Sequence, residues 1–322
     1  MTRPHRRLPF IVRVRTGWKY LLSYGLAAHD IMSIMKNFPS RHLWTATGLA
    51  LTLATMACAV KTTAPAPAAP AAPPATNADA RGYGQYTELV WNDEFDGGAL
   101  DLTKWGYDTG GSGWGNNELE YYTNSTENAY LSGGNLIIQA RQQPRDNRSY
   151  TSARLLTKGK QSFSFGRVDV RAKLPKGQGI WPAIWMLGVD IDQNNWPACG
   201  EIDMMEERGQ DPAKMLSTMH FGNSRSDHRS KGTQTTLPGG GSFANDFHVF
   251  SVVRSKDQMR FFLDGALYYT FTTSDASPYP FNNPFFLVLN VAVGGDFVNS
   301  PDASTVFPQQ MAVDYVRYYQ YK

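Results

Sequence analysis

Arg167-Val-Asp-Val-Arg-Ala-Lys-Leu174 alternates without a break, with Val168, Val170, Ala172 and Leu174 on one side and Arg167, Asp169, Arg171 and Lys173 on the other. A period of two is that of a pleated strand with one face in a core and one in water; a helix would scatter the same residues around its circumference. Further strand-like runs follow at Gly134–Ala140, Phe247–Arg254, Gln258–Leu263, Leu267–Phe271, Phe285–Val293 and Ala312–Tyr319. Turn signals separate several of them. Ser255-Lys-Asp257 suits a hairpin and Asp264-Gly265 a tight turn. After residue 81 no amphipathic stretch of three helical turns appears, so helices alternating with parallel strands are excluded. Many short strands and an aromatic content of 13% predict an all-β sandwich of two antiparallel sheets packed face to face. Phe221–Ala244, rich in Gly and Ser, reads as a long loop that is either a wall of a site or mobile.

Charge separates the chain into two regions. Residues 1–80 carry nine Lys or Arg and two acids, which leaves twenty-two against twenty-six from residue 81 onward, a formal −4 where the whole chain has +3. The basic balance therefore belongs to the N-terminal region, and no nucleic-acid footprint remains. Residues 1–60 read as a targeting region. Residues 1–34 resemble upstream sequence ahead of the true start, and 35–58 read as a signal peptide, with Lys36 and Arg41 before the apolar run Leu43–Ala57. That run is short for a membrane span, which takes about 20 residues. Cys58 follows at once, as at a lipoprotein acylation site, although Thr55 stands where that pattern prefers Leu. Export by simple secretion fits equally. Residues 61–82 form a Pro/Ala-rich linker that cannot build a core and stays extended. Residues 83–322 are then one folded domain. The only other cysteine, Cys199, reads as a buried free thiol.

The chemistry concentrates in Gly200-Glu-Ile-Asp-Met-Met-Glu-Glu-Arg-Gly209. Glu201 and Asp203 share a strand face, but the next acid falls at 206 instead of 205. One inserted residue, a β-bulge, returns Glu206 to that face. Two glutamates so placed can bring their carboxyls to about 5–5.5 Å, the separation of a retaining glycosidase, whereas inverting enzymes hold them about 6.5–9.5 Å apart. Crowded carboxylates split their pKa values, so one stays neutral beside an ionised neighbour, with Asp203 sharing a proton between them. A half-solvated strand is the bland alternative, and a divalent-metal site is disfavoured because the run itself holds no His.

Trp181 and Trp185, four apart on one strand, share a face just upstream, and Trp114 and Trp196 are further candidates. Flat indole rings suit the C–H faces of sugars, while each Trp fits a core equally well; Trp105 reads as core. His220 can hydrogen-bond a catalytic carboxyl or satisfy the core. Asn116, Asn117 and Glu118 lie in a Gly-rich turn within reach of sugar hydroxyls, and Arg167 is either a sugar contact or a solvated strand residue. A nucleophile-elbow Ser, a His-Glu-x-x-His zinc signature and a phosphate-binding Gly loop are all missing.

Glu201-Ile-Asp-Met-Met-Glu206 together with Trp181-Pro-Ala-Ile-Trp185 resembles glycoside hydrolase family 16, within it the bacterial endo-1,3-β-glucanases or laminarinases. The similarity runs from about Glu88 to Tyr321. It includes Leu89-Val-Trp-Asn-Asp-Glu-Phe-Asp96, Gly115-Asn-Asn-Glu-Leu-Glu-Tyr-Tyr122, Phe165–Pro175 and Asp314-Tyr-Val-Arg-Tyr318, with Glu120 where many relatives have Gln. The resemblance implies a β-jelly roll with a concave substrate groove. It makes Glu201 the nucleophile, Glu206 the acid/base and Asp203 the assisting carboxylate. Trp181, Trp185, Asn116, Arg167, His220 and Trp114 become substrate-contacting or supporting positions. It implies no cofactor for the chemistry, and a structural Ca²⁺ held by Asp314 and by backbone carbonyls near Gly134 and Glu94. The implied activity is retaining endo-hydrolysis of β-1,3-glucosidic bonds in laminarin-type glucans. Hydrolysis of agar, carrageenan or mixed-linkage glucan is the alternative, and a non-catalytic β-glucan-binding protein the rival of another class. Arg225, His228, Arg229 and Lys231 keep a sulfated substrate open. The expected protein is a monomer with a polysaccharide as its partner, exported as a surface lipoprotein or secreted outright, its only membrane contact an N-terminal lipid.

Overall fold

The alternation at Arg167–Leu174 is built as expected: Val168, Val170, Ala172 and Leu174 are 0–2% exposed in the main core. Full burial of an aliphatic side chain of this size contributes about 1.5–3 kcal/mol. The structure is a computed structural model and describes residues 81–321. The expected targeting region, Cys58 and nearly all of the expected linker lie outside the described residues.

The strands, in chain order, are β1 (Tyr86–Asp93), β2 (Gly106–Asp108), β3 (Glu120–Tyr122), β4 (Ala129–Ser132), β5 (Asn135–Ala140), β6 (Tyr150–Ser152), β7 (Arg154–Leu156), β8 (Gly166–Lys173) and β9 (Ile180–Gly188). They continue as β10 (Glu201–Glu207), β11 (Lys214–Phe221), β12 (Arg229–Thr236), β13 (His248–Ser255), β14 (Gln258–Leu263), β15 (Ala266–Thr272), β16 (Phe285–Val293) and β17 (Gln309–Tyr321). No α-helix occurs among the described residues. One sheet runs β15-β14-β13-β8-β17-β5-β4, with β1 also on β17, and the other runs β12-β11-β10-β9-β16-β7-β2. The main-core ladders of both sheets are antiparallel, and β3 pairs with β6 in a small parallel ribbon. The core draws on both large sheets, with Val168, Phe250 and Val316 from the first and Ile184, Ile202, Leu287 and Leu289 from the second. This is the expected all-β sandwich.

Local signals act as read. Asp264 and Gly265 both take positive φ and join β14 to β15, since that turn demands left-handed backbone at both positions. The Phe221–Ala244 stretch departs from expectation, because its middle is β12, paired along its whole length with β11. This edge strand has no buried position, so it carries no apolar alternation to read. Its Thr residues and its partner's ladder make the strand.

On β9 the alternation sorts Ile180, Ile184 and Met186 into the main core and Trp181 and Trp185 to the other face. On β16, Leu287, Leu289 and Val291 point into the core, and Asn290 shares the face of the two tryptophans. That outward face of the second sheet carries the site.

Candidate active site

The β10 strand is irregular where the acid spacing requires it. Against β9 the register slips between Asp203 and Met205, and against β11 between Asp203 and Glu206. Met204 and Met205 are both buried in the main core, so the extra residue is taken up on the apolar side. Glu201, Asp203 and Glu206 consequently emerge together into one cleft of about 750 Å³. Gly200 at φ 80° sets the entry to this strand, and a Cβ there would lie 2.9 Å from Pro280.

Each of the two glutamates has an indole donor, whereas Asp203 Oδ2 is buried without a hydrogen-bond partner. Trp196 Nε1 donates to Glu201 Oε2 across 2.9 Å, and Trp181 Nε1 donates to Glu206 Oε1 across 3.1 Å. His220, on β11 directly opposite Glu201, places Nε2 3.2 Å from Asp203 Oδ2 and 3.8 Å from Glu201 Oε1. One ligand atom each from Glu201, Asp203 and His220 lie within 4.8 Å of one another. Charge pairing of the imidazole with two carboxyls, at 3.2 and 3.8 Å, accounts for that proximity.

Water exclusion sets the electrostatics. Burial first, then the neighbouring Asp203, pushes Glu201 up to about 8. Burial and Asp203 push Glu206 up to about 8 as well. Burial holds Asp203 well above the usual carboxylate range, against a hydrogen bond with Glu201. Three acids crowded into one cleft around a buried Asp203 cannot all ionise, so protons are shared across the set. His220 pulls back toward the ionised form at Glu201, and His220, the Trp181 indole and Arg208 do so at Glu206, so the two glutamates compete for the shared proton on similar terms until a substrate distinguishes them.

The expected aromatic floor is present. Trp114, Trp181, Trp185 and Trp196 all line the cleft, as do Asn116 and His220. Trp105 is fully buried and donates to Asp93, which is the core role expected of it. Asn117 does not line the cleft itself but donates to Asp296, which does. Cys199 is buried without a disulfide, in an apolar cluster with Leu156, Leu187, Phe286 and Val288 beneath Trp185 and Trp196.

Arg167 is not in this group. It lies on β8 in the opposite sheet, donates to the Tyr83 carbonyl, pairs with Asp169 at 3.2 Å and sits against the rings of Tyr83 and Tyr319. The polar face of its strand was legible, but which sheet the strand joins depends on remote pairing.

Several cleft residues carried little local signal. Arg154 lies between the Trp114 and Trp185 rings, 4.8 and 4.6 Å from their centres. Asn290 accepts from Trp185 Nε1 at 2.7 Å and donates to the Tyr122 hydroxyl, which donates to Glu118. Glu118 also accepts from Asn116. This relay holds one wall of the cleft by side chains far apart in sequence. A single Asn in the apolar run Phe285–Val293 was the one available clue. Phe297 packs against Trp181 and under Arg208, closing the cleft near Glu206.

A family model described as "Glycosyl hydrolases family 16" matches residues 116–317, which takes in every carboxyl of the cleft and its indoles other than Trp114. The chain belongs to glycosyl hydrolase family 16. Among family relatives, Glucan endo-1,3-beta-glucosidase A1 of Niallia circulans is 44% identical over 257 residues, covering 72% of this chain. The chain spans only 38% of that relative's length. The Beta-glucanase of Rhodothermus marinus is also 44% identical, over 73% of this chain and 85% of its own. The laminarinase catalytic domain from Thermotoga maritima MSB8 superposes with a TM-score of 0.68 at 43% identity, covering 72% of this chain and 98% of that one. The family 16 fold is therefore shared by sequence and by structure.

Proposed function

We propose that residues 83–322 are a retaining endo-hydrolase of β-1,3-glucosidic bonds in laminarin-type β-glucans. The observation that carries this is the bulged β10, which aims Glu201 and Glu206 into one tryptophan-lined cleft. Glu206 protonates the leaving glucosidic oxygen while Glu201 attacks the anomeric carbon and forms a glycosyl-enzyme. Water, deprotonated by Glu206, then releases the sugar and frees Glu201. Asp203 and His220 hold Glu201 between its ionised and esterified states. Trp114, Trp181, Trp185 and Asn116 bind the glucan chain. The chemistry uses no cofactor.

A neutral glucan suits the cleft better than a sulfated galactan. Of the four cations after β11, Arg229 pairs with Asp227 and Lys231 with Asp275, so only Arg225 and His228 face the cleft. Product analysis on laminarin, lichenan, agarose and κ-carrageenan in parallel tests the assignment. Oligosaccharides should appear fastest from laminarin; faster release from agarose or carrageenan would replace the reading.

A structural Ca²⁺ fits the residues named for it. β1 and β5 meet the same edge of β17 end to end, with Asp93 opposite Val316 and Leu136 opposite Val313, so Glu94 and Gly134 approach the level of Asp314. Asp314 is the extra residue where the β17–β8 register shifts between Val313 and Tyr315, and its carboxylate pairs with Arg171. One carboxylate and two carbonyls are oxygen ligands of the type calcium takes. Bound there, the ion would tie the end of β1 and the start of β5 to the middle of β17 without touching the cleft. The Glu94 side chain is engaged by Arg317 through two hydrogen bonds, which leaves its backbone as the contributor.

The chain is exported and acts as a monomer, with residues 35–58 as the signal, Cys58 as a lipid anchor or the region removed, and residues 61–82 as a spacer. Metabolic labelling with a fatty acid, lost in Cys58→Ser, decides between anchoring and secretion.

A further inference from the structure

The connection after β11 returns His228 to the cleft floor. His228 Nε2 lies 2.8 Å from His220 Nδ1, and the two rings meet edge to edge, nearly coplanar, with centroids 5.1 Å apart and planes 10° from parallel. The same ring packs on Trp196 at 4.5 Å. One side chain thus touches both groups that hold Glu201, the Trp196 indole at 2.9 Å and the His220 imidazole at 3.8 Å.

We propose that His228 is a positioning residue for Glu201, setting the tautomer of His220 through the imidazole–imidazole hydrogen bond and the tilt of the Trp196 indole through the stack. This rests on the reading of Glu201 as the nucleophile.

The proton count gives the reason. Two nitrogens 2.8 Å apart share one hydrogen. His220 serves as a donor to whichever of Asp203 and Glu201 is ionised when Nε2 carries a proton; a bare Nε2 could only accept from a protonated carboxyl and would leave the ionised one without a donor from this ring. In the neutral ring that leaves Nδ1 bare, and the bridging hydrogen has to come from His228 Nε2. His228 therefore selects the one neutral His220 tautomer that points a donor at the acids. Without it, His220 is free to carry its proton on Nδ1 and turn a lone pair toward Asp203. Trp196, released on one face, gains freedom to swing its N–H off Glu201. The other charges around the pair are Glu201, Asp203 and Glu206 from β10, Arg225 5.4 Å over the Trp196 ring, and Asp227 and Arg229 bonded to each other. None of them supplies an alternative donor to His220 Nδ1 among the hydrogen bonds of the described residues.

Two substitutions separate the two contacts. His228→Phe keeps a flat ring on Trp196 and removes the N–H; His228→Gln keeps a donor and loses the ring. His228 is on an exposed connection, so both variants should fold. In the full-length enzyme, ¹⁵N shifts of the His220 ring report its tautomer in free protein, and kcat, KM and their pH profiles on laminarin report the consequence. His228→Phe should move His220 from the Nε2–H form to a mixture and lower kcat by roughly 10- to 100-fold, as a small misplacement of a reacting group does, with KM within about twofold. His228→Gln should restore the tautomer and part of kcat. An unchanged tautomer in His228→Phe, or a loss confined to KM, would overturn the proposal and leave His228 as a sugar contact. The tautomer is read without substrate, so this outcome is distinct from failure of the glucanase reading, in which the parent enzyme itself would release nothing from laminarin.

Discussion

The Trp196 indole N–H donates to Glu201 Oε2 across 2.9 Å, five residues ahead of it in the chain. A hydrogen bond to an ionised carboxylate contributes about 1.5–3 kcal/mol. Trp196→Phe keeps the flat ring and removes the donor. With the donor gone, kcat on laminarin should fall roughly 10- to 100-fold with KM little changed, measured by reducing-sugar release at saturation. A change in KM alone would make Trp196 a sugar platform and nothing more.

Arg167 provides the opposite test, because it is remote from the cleft. Its pair with Asp169 is nearly dry, the two side chains being 12% and 5% exposed. Arg167→Ala strands a buried carboxyl, a change that costs about 3–5 kcal/mol. Thermal unfolding should shift down by on the order of 10 °C, while kcat/KM at 25 °C stays at the parent value. Loss of activity in a protein that is still folded would return Arg167 to the substrate.

Glu207 follows Glu206 but points the other way, into the core, and neither of its carboxyl oxygens has a hydrogen-bond partner. Burial, then Asp211, pushes it from an ordinary 4.5 up to about 9. The folded state then keeps a proton that the unfolded chain releases. Stability falls as pH rises from about 4.5 to about 9, by at most about 1.4 kcal/mol per unit from this group. Glu207→Gln removes the group from the balance. Urea unfolding at pH 5, 7 and 9 should show a flatter decline for the variant, with the raised acids of the cleft supplying the residual slope. Parallel declines in both proteins would refute a buried, protonated Glu207.

The calcium site proposed at Asp314 should matter for stability and not for chemistry. A ligand at about 100 times its Kd adds roughly 2.7 kcal/mol. Chelation should therefore lower the melting temperature by several degrees, on the order of 2–4 °C per kcal/mol, and leave kcat/KM at 25 °C unchanged. Asp314→Asn should abolish the response to chelator. A melting temperature indifferent to chelator and to added Ca²⁺ would remove the ion from the account.

Much of this was legible because its causes are local. Alternation in Arg167–Leu174 follows from the two-residue pleat, and the step from Asp203 to Glu206 can share a face only through a bulge. What was not legible depends on which strands become neighbours. The alternation that put Arg167 on a polar face says nothing of the sheet that face belongs to. Asn290 and Arg154 acquire meaning only when β16 and β7 come to lie beside β9. The β12 strand has little apolar side to read, since the ladder with β11 holds it and not a core. His228 was noted for its charge, and its place against His220 depends on how that connection folds back.

The central claim is covalent catalysis by Glu201 with Glu206 as the proton shuttle, and the anomer first released decides it. Proton NMR within the first minutes of laminarin hydrolysis, before mutarotation, should show the β-anomer of the new reducing end, its ratio then drifting to equilibrium. An initial α-anomer would mean direct attack by water and would contradict the account.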